Sequence, residues 1–159
     1  MNTPAIPATV ARLRQTFDSG KTRPIEWRLA QLAEIERAMR DHEADFAEAL
    51  QKDLGKCRFE AVMTEMSFVE EEAKYARKHL RNWMRHTRVR TPMMAQPGRS
   101  YIEPEPKGVV LIIAPWNYPM SMVAAPLVGA VAAGNCAVMK PSEVTTHTSA
   151  ALAAILPRY

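Results

Sequence analysis

Apolar and polar positions divide the chain into two unlike parts. Over the first part the apolar residues recur at helical spacing. Val10, Leu13 and Phe17 share one face of a first helix that Gly20 can end. Ile25, Leu29, Leu32, Ile35 and Met39 form the stripe of a second helix, with Pro24 in its first turn and Asp41 placed to cap the next start. Phe46, Ala49 and Leu50 face inward on a third, which Leu54-Gly55 closes. Val62, Met66, Val69, Ala73, Ala76, Leu80 and Trp83 then alternate steps of four and three. On that helix the charges are sorted. Glu60, Glu65, Glu70, Glu71 and Glu72 come early, and Lys74, Arg77, Lys78, Arg81 and Arg85 come late, which complements the helix macrodipole.

From Lys107 onward the pattern changes. Between Gly108 and Met139 there is no Asp, Glu, Lys, Arg or His, in a chain that is 24% charged. Gly108 to Ile113 is a short β-branched run of the kind buried on both faces. Pro115-Trp116-Asn117-Tyr118-Pro119 breaks it, and Pro119 suits the first position of a helix. Met120 to Ala133 reads as a helix apolar on nearly every side. Gly134-Asn135 is a left-handed stop, and Cys136 to Met139 is a second buried run. Strand, turn, helix and strand make the βαβ unit of a parallel sheet. Residues 87–99 read as a basic, proline- and methionine-rich connector, Ser100 to Glu103 as a short strand, and Thr146 to Leu156 as a last helix. The fold class is therefore α/β. A helical segment (residues 1–99, with a loose arm over 1–7) and a short strand and turn (100–106) lead into the start of a Rossmann-like parallel sheet (107–159).

Composition changes this picture little. A length of 159 residues allows one ordinary domain, and 47% hydrophobic residues with a net charge of +4 describe a globular chain. Pro126 and Gly134-Asn135 interrupt the one long apolar stretch, which argues against a membrane span. Cys57 and Cys136 are far apart and fit a reducing, cytoplasmic setting better than a disulfide framework. The start has no apolar signal region. His42, His79, His86 and His147 show no ligand spacing, so no metal is indicated. From Ala73 to Ile102 there is no acidic residue. The bland reading is a solvated helix end, and sparse aromatics give little support to nucleic-acid binding.

The two turns around the apolar helix carry a family resemblance. GVVLIIAPWNYP resembles the strand and Pro-Trp-Asn turn that open the cofactor domain of the aldehyde dehydrogenase superfamily. AAGNCAVMKPSE resembles its next strand and Lys-Pro-Ser-Glu turn, and YIEPEPKGVV with the helical leader is most like the class 3 branch of fatty and aromatic aldehyde dehydrogenases. The resemblance runs over roughly residues 15–159 and corresponds to the first third or so of such an enzyme. It implies NAD(P)-dependent oxidation of an aldehyde to a carboxylic acid. It also implies a homodimer at full length, with the strand near residue 100 in a small oligomerisation sheet. The family's catalytic cysteine and general-base glutamate lie downstream of Lys-Pro-Ser-Glu. The expectation is an N-terminal portion that is inactive alone, with an apolar helix left bare on one side and a tendency to associate. Neither Cys57 nor Cys136 matches the family's nucleophile position.

Three sets of residues are candidates for chemistry. Asn117, before Pro119, is either a helix cap or turn residue, or an oxyanion donor. A neutral amide stabilises the oxygen of an aldehyde under thiolate attack without competing for protons, and the resemblance implies that role. Lys140 and Glu143 are either solvated turn charges or, by the resemblance, a clamp on the adenosine ribose. A carboxylate there disfavours a 2′-phosphate, which favours NAD, with NADP as the alternative. Ile113, Ala114, Pro115 and Trp116 match the segment that lines the family's cofactor cleft. No G-x-G-x-x-G occurs, and the resembling family lacks that fingerprint too. The rival reading is a non-enzymatic helical module, whose Phe59–Trp83 helix and basic connector bind a partner or an acidic surface.

Overall fold

The computed structural model describes residues 6–159. Residues 1–5 of the expected arm lie outside them, and Ile6 and Pro7 already belong to the first helix. The chain forms α1 (Ile6–Asp18), α2 (Ile25–Asp41), α3 (Glu43–Leu54) and α4 (Arg58–Ala61). A π-helical turn (Val62–Met66) joins α4 to α5 (Ser67–Trp83). Then come β1 (Thr87–Val89), β2 (Ser100–Ile102), β3 (Val109–Ile113), α6 (Ser121–Ala132), β4 (Cys136–Lys140) and α7 (Thr146–Ile155).

The predicted stripes make the core. Leu32, Ile35 and Met39 of α2, Phe46 and Leu50 of α3, and Val69, Ala73 and Leu80 of α5 join Met120, Val123 and Val128 in one cluster. The leader and the βαβ unit therefore share a single core, with α6 packed on both α2 and α5. This corrects the expectation of a half-bare helix. Ser121, Val123, Ala124, Val128, Ala130, Val131 and Ala132 are all buried, because helices from the leader cover the side that the sheet does not.

β3 and β4 pair in parallel, with Val109 opposite Cys136 and Ile113 opposite Lys140. Gly134 ends the crossover at φ +83°, and a Cβ there would meet the Arg28 guanidinium at 2.6 Å. Glycine is required by both the backbone and the close approach. Asn135 ties the two strand starts together, since its Oδ1 accepts from the Gly108 amide at 2.8 Å. β3 is not buried on both faces as expected. Ile112 is 8% exposed, but Leu111 and Ile113 on the other side are 61% and 68% exposed. The crossover covers one face of the pair, so alternate residues point away from it.

β1 lies inside the segment read as a connector and pairs antiparallel with β2, Thr87 opposite Ile102. Asp41 does not cap α3. It accepts from the Tyr159 hydroxyl at 3.0 Å instead. Arg77 of the basic run reaches back to buried Glu36 at 2.8 Å, joining α5 to α2. Among the described residues no helix is long and apolar enough to cross a membrane.

Candidate active-site edge

The carboxyl ends of β3 and β4 lie side by side. The Ala114 amide donates to the Lys140 carbonyl at 3.1 Å, continuing the ladder one residue past Ile113. From that edge the chain leaves twice, through Pro115-Trp116-Asn117-Tyr118-Pro119 into α6 and through Pro141-Ser142-Glu143 into α7. All the sequence-predicted site residues therefore sit on one edge of the parallel pair, where open α/β sheets bind ligands. Trp116 is 55% exposed and Asn117 is also exposed.

Lys140 Nζ donates to Glu143 Oε2 at 2.7 Å, and both side chains are open to solvent. The Lys140 hydrogen bond holds the Glu143 carboxyl below its ordinary range. The two charges expected to clamp a ribose are thus paired with each other at this edge.

Two acidic residues of the leader fix both helix starts, and neither was legible as a site residue. Glu65, fully buried in the π-helical turn, accepts from the Met120 and Ser121 amides through Oε2 at 2.9 and 3.0 Å. Its Oε1 accepts from Lys56 Nζ at 2.6 Å. Lys56 Nζ also donates to the Asn117 carbonyl at 3.2 Å and lies 4.1 Å from the centre of the Tyr118 ring. The sequence pattern places Glu65 among the sorted early charges of its helix, whereas the structure sets it in the core. The amides that a capping Asn117 would have satisfied are taken by Glu65. Among the described residues no hydrogen bond engages the Asn117 carboxamide.

Asp53 does the same for α7. It accepts from the His147 and Thr148 amides at 3.1 and 2.7 Å and contacts His147 Nδ1 at 2.8 Å. Burial pushes its carboxyl up, but the bonds from Thr148 and His147 outweigh that and hold it below the usual aspartate range. A depressed carboxyl stabilises the fold above its unfolded value, about 3.9, and loses that contribution as pH falls through the folded value. Asp53→Ala is accordingly expected to cost about 1–2 kcal/mol at pH 7. The gap between variant and wild type should begin to narrow below about pH 4 and close only below the folded value. Urea unfolding at pH 7 and pH 3 measures both. With Glu65 and Asp53 in place, neither helix start is open to a phosphate in the manner of the glycine-rich fingerprint.

Cys136 opens β4 at the end opposite this edge. Burial raises the thiol of Cys136 above its ordinary value. Cys57 is exposed between Lys56, which turns inward to Glu65, and Arg58, which pairs with Glu43. Among the described residues no cluster of His, Cys, Asp or Glu could hold a metal ion.

Comparison with known proteins gives the chain's family. The family model described as the aldehyde dehydrogenase family matches residues 2–158. Mouse aldehyde dehydrogenase family 3 member B2 is 45% identical over 152 residues, which is 96% of this chain and 32% of the relative. The dog dimeric, NADP-preferring aldehyde dehydrogenase is 44% identical over 154 residues, 97% of this chain and 34% of its own. The substrate-bound Staphylococcus aureus AldH superposes with a TM-score of 0.93 at 40% identity, over 98% of this chain and 34% of that one. The chain thus spans about a third of the length of the proteins it matches. On a match that runs through nearly all of its residues, the chain belongs to the aldehyde dehydrogenase family.

Proposed function

We propose that this chain is the opening segment of an NAD(P)-dependent aldehyde dehydrogenase, and that it supplies the oxyanion donor and part of the cofactor cleft. The observation that carries the reading is the convergence of Asn117, Lys140 and Glu143 on one carboxyl edge, with the Asn117 carboxamide left unengaged among the described residues. In the reaction a cysteine thiolate attacks the aldehyde, and the Asn117 amide takes the developing oxyanion. NAD(P), when bound, would supply the hydride acceptor, and water would then release the carboxylic acid from the enzyme thiol. The nucleophile and the base come from sequence beyond the family segment matched here. Lys140 and Glu143 hold the ribose hydroxyls, while Ile113, Ala114, Pro115 and Trp116 line the cleft. Lys140 partly neutralises Glu143, which weakens the bar to a 2′-phosphate, and the dog relative is named NADP-preferring. NAD is favoured because a carboxylate, Glu143, stands at this edge, and NADP is the alternative. The working enzyme is a cytoplasmic homodimer acting on an aldehyde, and the dog relative is named dimeric.

A graft tests this. Residues 6–159 replace the matching third of the Staphylococcus aureus enzyme, and NADH or NADPH is followed with aliphatic and aromatic aldehydes. Turnover is expected from the graft and none from the 159-residue polypeptide alone. Lys140→Ala in the graft should raise the KM for the dinucleotide on the order of tenfold, the loss of a charge-assisted hydrogen bond. A soluble, folded graft without turnover, or one indifferent to Lys140→Ala, would contradict the assignment.

A further inference from the structure

The geometry points to the buried Lys56–Glu65 pair as the positioning device for the Asn117 turn, an inference that rests on reading Asn117 as the oxyanion donor. An oxyanion donor works only if it is held where charge develops, before the reaction begins. The turn that carries Asn117 has two prolines and an exposed outer side, and nothing in β3 fixes its path beyond Ala114. What fixes it lies beneath. Lys56, which is 7% exposed, directs Nζ at once to Glu65, to the Asn117 carbonyl and over the Tyr118 ring. Glu65, with no exposed surface, holds the two amides immediately after Pro119. The pair therefore grips the turn at Asn117–Tyr118 and again at Met120–Ser121, on both sides of the proline.

Several features fit positioning better than bulk stability. A buried ion pair gives little net stability compared with apolar residues of similar volume. A π-helical turn is uncommon and gathers at functional sites, and this one carries Glu65. The main-chain bond to the Asn117 carbonyl leaves its carboxamide free for a ligand. Neither Lys56 nor Glu65 contacts the reacting atoms, so neither is a catalytic residue.

Nuclear magnetic resonance on the 159-residue chain tests this without reference to turnover. In the wild type the backbone order parameter at Asn117 and Tyr118 should be near ~0.85, the rigid value. The Lys56 ε-methylene protons should show the upfield shift of a group stacked on Tyr118. In the double variant Lys56→Met/Glu65→Gln, the introduced carboxamide can still accept from the α6 amides while the cation is gone. The order parameter at Asn117 should then fall below ~0.6 in a chain that circular dichroism shows still folded. An unchanged order parameter in the folded double variant would overturn the proposal. If that variant does not fold, the wild type decides: a turn already mobile, or Lys56 protons without the ring shift, overturns it, and a rigid turn with the shift supports it. These readouts concern the turn alone, whereas the chemistry of Asn117 is judged by turnover in the graft.

Discussion

Lys56→Met is expected to destabilise the chain by about 3–5 kcal/mol, more than any exposed substitution should. The cause is what the variant leaves behind. Glu65 is fully buried, and its Oε1 has Lys56 as its charged partner. Methionine fills much of the same volume but brings neither charge nor donor. The carboxylate then stays in the core beside two amides that only partly compensate it. Adding Glu65→Gln should recover much of the loss, because the uncompensated charge is removed and the amides keep an acceptor. For a chain of this size about 3–5 kcal/mol corresponds to a fall in Tm of roughly 6–20 °C. Thermal unfolding of the two single variants and the double variant measures the coupling directly. A double-variant loss equal to the sum of the two single-variant losses would mean that the pair is not coupled.

Much of the fold was legible because its signals are local. The stripe of α2 from Leu32 to Met39, the left-handed Gly134, and the strand, helix and strand after Gly108 all appear where spacing and punctuation put them. The candidate edge was legible too, since Asn117, Lys140 and Glu143 follow strands whose ends can be read off the sequence. What could not be read is what links distant parts. Glu65 lies at the margin of an apolar face when counted at about 100° per residue, where a solvated charge is the ordinary reading. The π-helical turn and the amides of Met120 and Ser121, 55 and 56 positions away, make it a core residue. Asp53 is likewise matched to a helix start 94 and 95 positions later. One clue stood in the sequence. The α6 start has two prolines and Asn117 as its one candidate capping side chain before Met120, so not all of its amides could be satisfied locally. The expectation of a half-bare helix treats the leader as a separate bundle. In fact α2 and α5 supply the missing cover.

The second large effect lies at Asn117. On the proposed assignment, the Asn117 carboxamide in the graft is the neutral donor for the oxyanion formed as the thiolate attacks, and it matters more in that step than in binding the aldehyde. Its removal should therefore lower kcat while leaving the KM for aldehyde and dinucleotide nearly unchanged. Loss of a single oxyanion donor costs about 10²–10³ in kcat. Stability should hardly move, since the side chain is exposed and its carboxamide bonds to no described residue. The most direct measurement of the whole account is kcat for the grafted enzyme with Asn117→Ala beside the unaltered graft, under saturating aldehyde and cofactor. A fall of about 10²–10³ with an unchanged Tm is the predicted result, and a kcat within a few-fold of the parent graft would contradict it.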